Sequence, residues 1–175
     1  MDPYVELARL TVHHFTRHGT PPKEIPDGIH RALLGQRAAT FVSLHTLDGE
    51  LRGCKGTLEP WHDSVEAEVI HNAISACSRD TRFPPVRTEE LDFLEIHVDV
   101  LSPMEPIAGP SELDVKRYGV LVTAPDGRRG VLLPDLETID TVEAQIAIAC
   151  RKAGIHPKCE AFTLQRFTTT RHRAE

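Results

Sequence analysis

Phe41-Val42-Ser43-Leu44-His45-Thr46, followed by Leu47-Asp48-Gly49-Glu50 and then by Leu51-Arg52-Gly53-Cys54-Lys55-Gly56-Thr57, reads as one strand folding back on another. Asp-Gly between two strand-like runs signals a two-residue hairpin turn, and such a turn fixes the pairing register. In that register Leu47 faces Glu50, His45 faces Arg52 and Ser43 faces Cys54. Side chains alternate along a strand, so Ser43, His45, Arg52 and Cys54 share one face, while Val42, Leu44 and Leu51 mark the other as the core side. A thiol, a hydroxyl, an imidazole and a guanidinium are thereby expected on one patch.

The chemistry of that patch centres on Cys54. A neighbouring guanidinium favours thiolate over thiol and lowers a cysteine below its ordinary pKa of about 8.5. Arg52 is placed for that role and His45 is the nearest candidate base, on a diagonal of about 7 to 8 Å between backbones. Gly53 and Gly56 weaken a strand, which points to close approach of a ligand or of another backbone; Phe41, opposite Gly56, is an alternative cover. Packing is the competing account of Cys54, because cysteine is among the most buried residue types and behaves as a small hydrophobe.

The hairpin has an echo. Asp63-Ser64-Val65-Glu66-Ala67-Glu68-Val69 resembles Asp140-Thr141-Val142-Glu143-Ala144-Gln145-Ile146, and each follows an Asp-Gly turn with an Arg-Gly pair on the return strand. In both, an Asp three residues before a Glu gives a capping-box-like helix start. Two hairpin-helix units are expected, over residues 40–58 and 118–134 and the helices after them, arising by duplication or by chance likeness of common local chemistry. The second return strand is one residue shorter before its Arg-Gly pair, which places Arg129 on a different parity from Arg52. Val65, Val69, Ala73, Ala76 and Cys77 line one helical face, as do Val142, Ile146, Ala149, Cys150 and Ala153, so Cys77 and Cys150 read as core. Gly154 stops the second helix. Between the units, Ser78 to Val86 is a proline-stiffened loop whose Arg79 and Arg82 are able to point into a neighbouring site. Leu94 to Leu101 alternates as a strand with His97 and Asp99 outward.

The chain has 175 residues, a formal charge of −6, and ordinary hydrophobic (40%) and charged (26%) fractions, which fits a globular protein. The acidic balance disfavours nucleic acid as a partner, although Arg166 to Arg173 is locally basic. No window suits a membrane span, and Met1-Asp2-Pro3-Tyr4 has no apolar run of a secretory signal. Cysteines at 54, 77, 150 and 159 form neither a disulfide-dense nor a C-x-x-C pattern, so reduced thiols and a cytoplasmic location are expected. His14 and His18 are helically spaced but lack the glutamate of a zinc-protease motif and a third ligand, so no metal site is assigned.

Leu51-Arg52-Gly53-Cys54-Lys55-Gly56-Thr57-Leu58-Glu59-Pro60 resembles the signature of the AMMECR domain family. Arg82-Phe83-Pro84-Pro85, Val100-Leu101-Ser102-Pro103, Gly130-Val131-Leu132-Leu133-Pro134 and Ala149-Cys150-Arg151-Lys152-Ala153-Gly154 resemble it too, in the same order, so the likeness runs through nearly the whole chain. The resemblance implies an α+β fold of two interlocked subdomains, each a β-hairpin plus helix, with antiparallel sheet, flanking helices and a cleft. Its subdomains fall at about 1–105 with 156–175, and 106–155. Arg52, Gly53, Cys54, Gly56 and Thr57 match the motif, whereas Lys55 stands where the family has an apolar residue and points toward the core side. Family members of this size are similar to a component of the AmmeMemoRadiSam set, which implies a Memo-like protein and a radical-SAM protein as partners; no cofactor is specified.

Two functions follow. In one, Cys54 with Arg52 and His45 is catalytic in a cofactor- or substrate-modifying system, with Ser43, Gly53, Gly56, Thr57, Arg79 and Arg82 binding. In the other, the chain is a non-catalytic adaptor for a partner protein or an anionic small molecule, with Arg52, Lys55, Arg79 and Arg82 contacting the anion.

Overall fold

The computed structural model describes residues 2–174. The elements run α1 (Pro3–His18), α2 (Asp27–Leu33), β1 (Thr40–Thr46), β2 (Leu51–Gly56), α3 (Val65–Ser78), a 3₁₀ turn (Thr88–Phe93), β3 (Leu94–Leu101), β4 (Glu105–Ile107), β5 (Gly119–Thr123), β6 (Arg129–Leu132), α4 (Val142–Ala153), β7 (Thr163–Phe167) and β8 (Thr169–Arg173). Helices are mixed with two antiparallel sheets, which is the α+β class expected. No helix among the described residues is long and apolar enough to cross a membrane.

The chain divides into a first unit, residues 1–101 with 170–175, and a second, 102–169. The first carries the sheet β2-β1-β3-β8. Val42 and Leu44 of β1 and Ile96 and Val98 of β3 form a core with Leu7, Ala8 and Val12 of α1 and Val65, Val69, Ala73 and Ala76 of α3. Asp2 caps α1 by accepting from the N–H groups of Tyr4 and Val5, and Gly19, at φ 71°, ends it.

The second unit carries the sheet β4-β7-β5-β6, with Val120 and Val122 packed on Ile146, Ala149 and Cys150 of α4. β7 lies between β4 and β5, so residues 156–169 belong to this unit, whereas the sequence grouping assigns 156–175 to the first. Only β8 returns to the first sheet.

Both hairpins form where expected, each followed by a helix, but the turns differ from the two-residue form. Thr46 N–H donates to the Glu50 carbonyl, and Gly49 N–H to the Thr46 carbonyl. Ala124, Arg128 and Gly127 repeat this pattern. Gly49 and Gly127 take φ of 85° and 90° while Asp48 and Asp126 do not turn positive, which makes each a three-residue loop ending in a left-handed glycine. The helix caps also move by one residue. Ser64 and Thr141, and not Asp63 and Asp140, receive the first-turn N–H groups, from Ala67 and Ala144.

Candidate functional site

The three-residue turn pairs His45 with Leu51, so the expected pairing of His45 with Arg52 does not form. A bulge between Leu44 and His45 then absorbs Arg52 and restores the register: Leu44 pairs with Gly53 and Ser43 with Cys54, as the sequence predicts. The second hairpin has no such extra residue, and there Val122 pairs with Gly130 and Thr123 with Arg129. The bulge therefore brings the two Arg-Gly glycines to equivalent places. A Cβ on Gly53 would stand 2.4 Å from the Ala76 carbonyl oxygen of α3, and one on Gly130 would stand 1.9 Å from that of Ala149 on α4.

Helix packing thus explains Gly53, and Gly56 is explained likewise, since the Phe41 ring fills the space its side chain would need. Thr57 is buried and donates to the Glu68 carboxylate, which also accepts from the N–H groups of Trp61 and His62 at 2.9 Å each. Asn72 completes this knot with two 2.9 Å bonds to Thr40. These residues hold the end of β2. Lys55 pairs with Val42 and is half-buried on the core side.

The opposite face of the sheet is polar. Thr57 N–H bonds the Thr40 carbonyl, which sets the ladder so that Ser43 and Cys54 form a pair without mutual hydrogen bonds, the kind whose side chains stand closest, with Cα atoms about 4.5 Å apart. On its other side Ser43 pairs with His97 of β3. Cys54, Ser43 and His97 form one row across three strands, all half-buried. His45 Nε2 is 3.1 Å from Ser43 Oγ, and its ring lies 4.8 Å from that of His97. Burial, then the charges of His45 and Arg171, hold His97 below the ordinary imidazole value, which favours its neutral form at pH 7. One row further, buried Asp99 binds Arg171 of β8 through two bonds of 2.8 and 3.3 Å. A cavity of about 540 Å³ opens beside His97, walled in part by Arg9, His13, Asp92, Glu95 and Arg173.

Arg52 does not stand exposed beside the thiol. Its side chain is 13% exposed; Nε and Nη2 grip Glu90 at 2.7 and 3.1 Å, and Nη1 and Nη2 reach the carbonyls of Pro84 and Pro85. It ties β2 to the proline loop. Arg82 instead reaches the Cys54 backbone, its Nη2 lying 3.5 Å from the Cys54 carbonyl oxygen, while the Cys54 N–H donates to Asp80 at 2.9 Å. Arg79 is exposed at the C-cap of α3.

His97, Asp80 and Glu90 are missing from the sequence-derived site. His97 was visible as an outward residue of an alternating strand, but its pairing with Ser43 depends on β3 lying next to β1, 54 positions further along the chain, which no local pattern encodes. Among the described residues no group of three or more His, Cys, Asp or Glu side chains is arranged to hold a metal ion.

The second unit gives an internal contrast. There the row equivalent to Cys54, Ser43 and His97 is Val131, Leu121 and Gln165. The scaffold does not itself demand a thiol, a hydroxyl and an imidazole in those places.

The same chain plan recurs in relatives. A protein of Thermotoga maritima is 44% identical over 174 residues, spanning 98% of this chain and 97% of its own length. One from Clostridium acetobutylicum is 43% identical over 173 residues, but the match takes up only 36% of that longer protein. The crystal structure of an uncharacterised protein of Pyrococcus horikoshii, PH0010, superposes with a TM-score of 0.87 at 30% identity, covering 98% of this chain and 94% of the other. With the AMMECR1 family model matching residues 5–172, nearly all of the two units just described, the chain belongs to the AMMECR1 family.

Proposed function

We propose that this protein is the thiol-bearing component of a cofactor- or substrate-modifying system, working with a Memo-like and a radical-SAM protein, and that its site is the polar face around Cys54. The observation that carries this reading is the row Cys54, Ser43 and His97, with His45 bonded to Ser43, at positions the sister unit fills with Val131, Leu121 and Gln165. Cysteine attacks as its thiolate, so it needs a base to take its proton. Ser43 pairs with Cys54 across the ladder and is bonded to His45, and its hydroxyl donates and accepts at once, so in this reading it is the group that passes the Cys54 proton to His45. The cavity walled by His97, though not by Cys54, Ser43 or His45, is of the size that takes a small molecule. The longer Clostridium relative, in which a domain of this kind is part of a larger chain, supports action alongside other polypeptides.

The test is affinity capture from native cells with the wild-type protein and with Cys54→Ser, reading co-purifying proteins and small molecules, together with native alkylation resolved by cysteine. Expected are the Memo-like and radical-SAM proteins with both forms, a small molecule with the wild type alone, and Cys54 alkylated well ahead of Cys77 and Cys150. Those two are buried, and burial pushes the Cys77 thiol up to about 11 and raises that of Cys150. Wild-type capture without either protein overturns the system. A Cys54 that alkylates only on unfolding overturns the thiol role and leaves the adaptor.

A further inference from the structure

β2 is an outer strand, so the backbone of Cys54 on its far edge is closed by something other than a strand. The loop after α3 does this: Asp80 Oδ2 takes the Cys54 N–H at 2.9 Å, and Arg82 Nη2 reaches the Cys54 carbonyl at 3.5 Å. Asp80 also accepts from Arg82 N, Nε and Nη2, at 3.1, 3.0 and 2.7 Å. The pair is lopsided. The Asp80 side chain is 4% exposed and the Arg82 side chain 56%, so the anion is sealed under the strand edge while the cation opens to solvent beside the thiol residue.

Of the other cations, Arg52 is held by Glu90 and the proline carbonyls, Arg171 is bound to Asp99 one row away, Lys55 belongs to the core-side face and Arg79 is exposed at the C-cap of α3, whereas Arg82 is bonded to the Cys54 backbone itself. The acids nearby are matched in the same way, Asp80 by Arg82 and Asp99 by Arg171, which leaves Glu95, opposite His45, as the exposed acid on that face. A Cys54 thiolate would be among the causes that raise Arg82 above the ordinary guanidinium value, after its bond to and charge attraction by Asp80, which places the two groups within electrostatic reach.

We infer that Arg82 is the anion anchor of the Cys54 site: its ligand is a small organic oxyanion, a carboxylate or phosphate, held by the Arg82 guanidinium while its reactive end faces Cys54. This rests on the thiol reading above and adds the class of molecule the site takes. Asp80 is a positioning residue that fixes the guanidinium and the Cys54 backbone in one rigid arrangement.

Iodoacetate and iodoacetamide are matched probes for this. Each forms the same S–C bond at the thiolate and releases iodide, the thiol proton passing to base, and they differ in that one carries a carboxylate and the other a neutral amide. The rate ratio of iodoacetate to iodoacetamide at Cys54 is measured in the native full chain and, as reference, in the chain unfolded in urea. The native ratio is expected to exceed the reference by roughly three- to tenfold, as befits a partly exposed charge pair, and to fall toward it with added salt. Inorganic phosphate is expected to slow iodoacetate selectively. Arg82→Gln should bring the ratio to the reference and Arg82→Lys should keep part of it. The salt and phosphate arms use the wild-type protein, so they stand whether or not a variant folds. Equal native and reference ratios overturn the anion anchor and leave the thiol role in place, whereas a native Cys54 inert to both probes overturns the thiol role and the anchor with it.

Discussion

Asp80 closes the edge of β2 with one carboxylate, and its neighbours set its titration. The hydrogen bond from Arg82 comes first, followed at some remove by the N–H groups of Cys54 and Arg82, and together they hold its carboxyl well below the usual range. A group whose folded value is depressed contributes stability above its unfolded value and loses it as the pH falls, so the contribution is complete above about pH 4 and declines below it. Asp80→Asn is expected to cost about 1–3 kcal/mol at pH 7, and the gap to wild type should shrink in urea titrations taken from about pH 4 toward pH 2. Arg52→Ala should cost about 2 kcal/mol or more, because it strands the half-buried Glu90 and two proline-loop carbonyls, and urea midpoints should show it. The sequence singles out Cys54 as the candidate chemical residue of this hairpin, the reading on which the proposed function rests. It does not reveal that Arg52 is held by Glu90, because Glu90 lies 38 positions away and only the folded loop brings it back.

At the scale of elements, the hairpins, their helices and the two buried cysteines were legible because turn chemistry and helical spacing are local signals. The bulge at Arg52 was not, since nothing in Leu51-Arg52-Gly53 distinguishes an absorbed residue from a paired one until α3 requires Gly53 beneath Ala76. An error of one residue at the turn and the bulge cancel at Cys54, which is why Ser43 was placed correctly and His45 was not. The glycine contacts give a matched test. Gly53→Ala and Gly130→Ala meet helix backbone that must shift, and each should lower stability by about 1–3 kcal/mol or more. Gly28→Ala, in α2 with open space around it, should be neutral or stabilising by up to about 1 kcal/mol. Urea midpoints of the three variants side by side check this.

Over the whole molecule, β1-β2-α3-β3 and β5-β6-α4-β7 repeat one connectivity, and the sheet orders β2-β1-β3-β8 and β6-β5-β7-β4 repeat one arrangement. The strand after each repeat is exchanged: β4 follows β3 but joins the second sheet, and β8 follows β7 but joins the first. The echo in the sequence shows the hairpin-helix parts alone, because an exchanged strand carries no mark of the sheet it will join. Removing residues 169–175 should destabilise the first unit by about 3 kcal/mol or more, since buried Asp99 loses Arg171, and Asp99→Ala in the shortened chain should restore part of the loss in thermal unfolding. The exchange also sets an order of events during synthesis. Synthesis delivers β3 before β8, so the sheet bearing Cys54 keeps β3 as a bare edge until β8 has emerged, and the first unit is completed only after the strands of the second have been made.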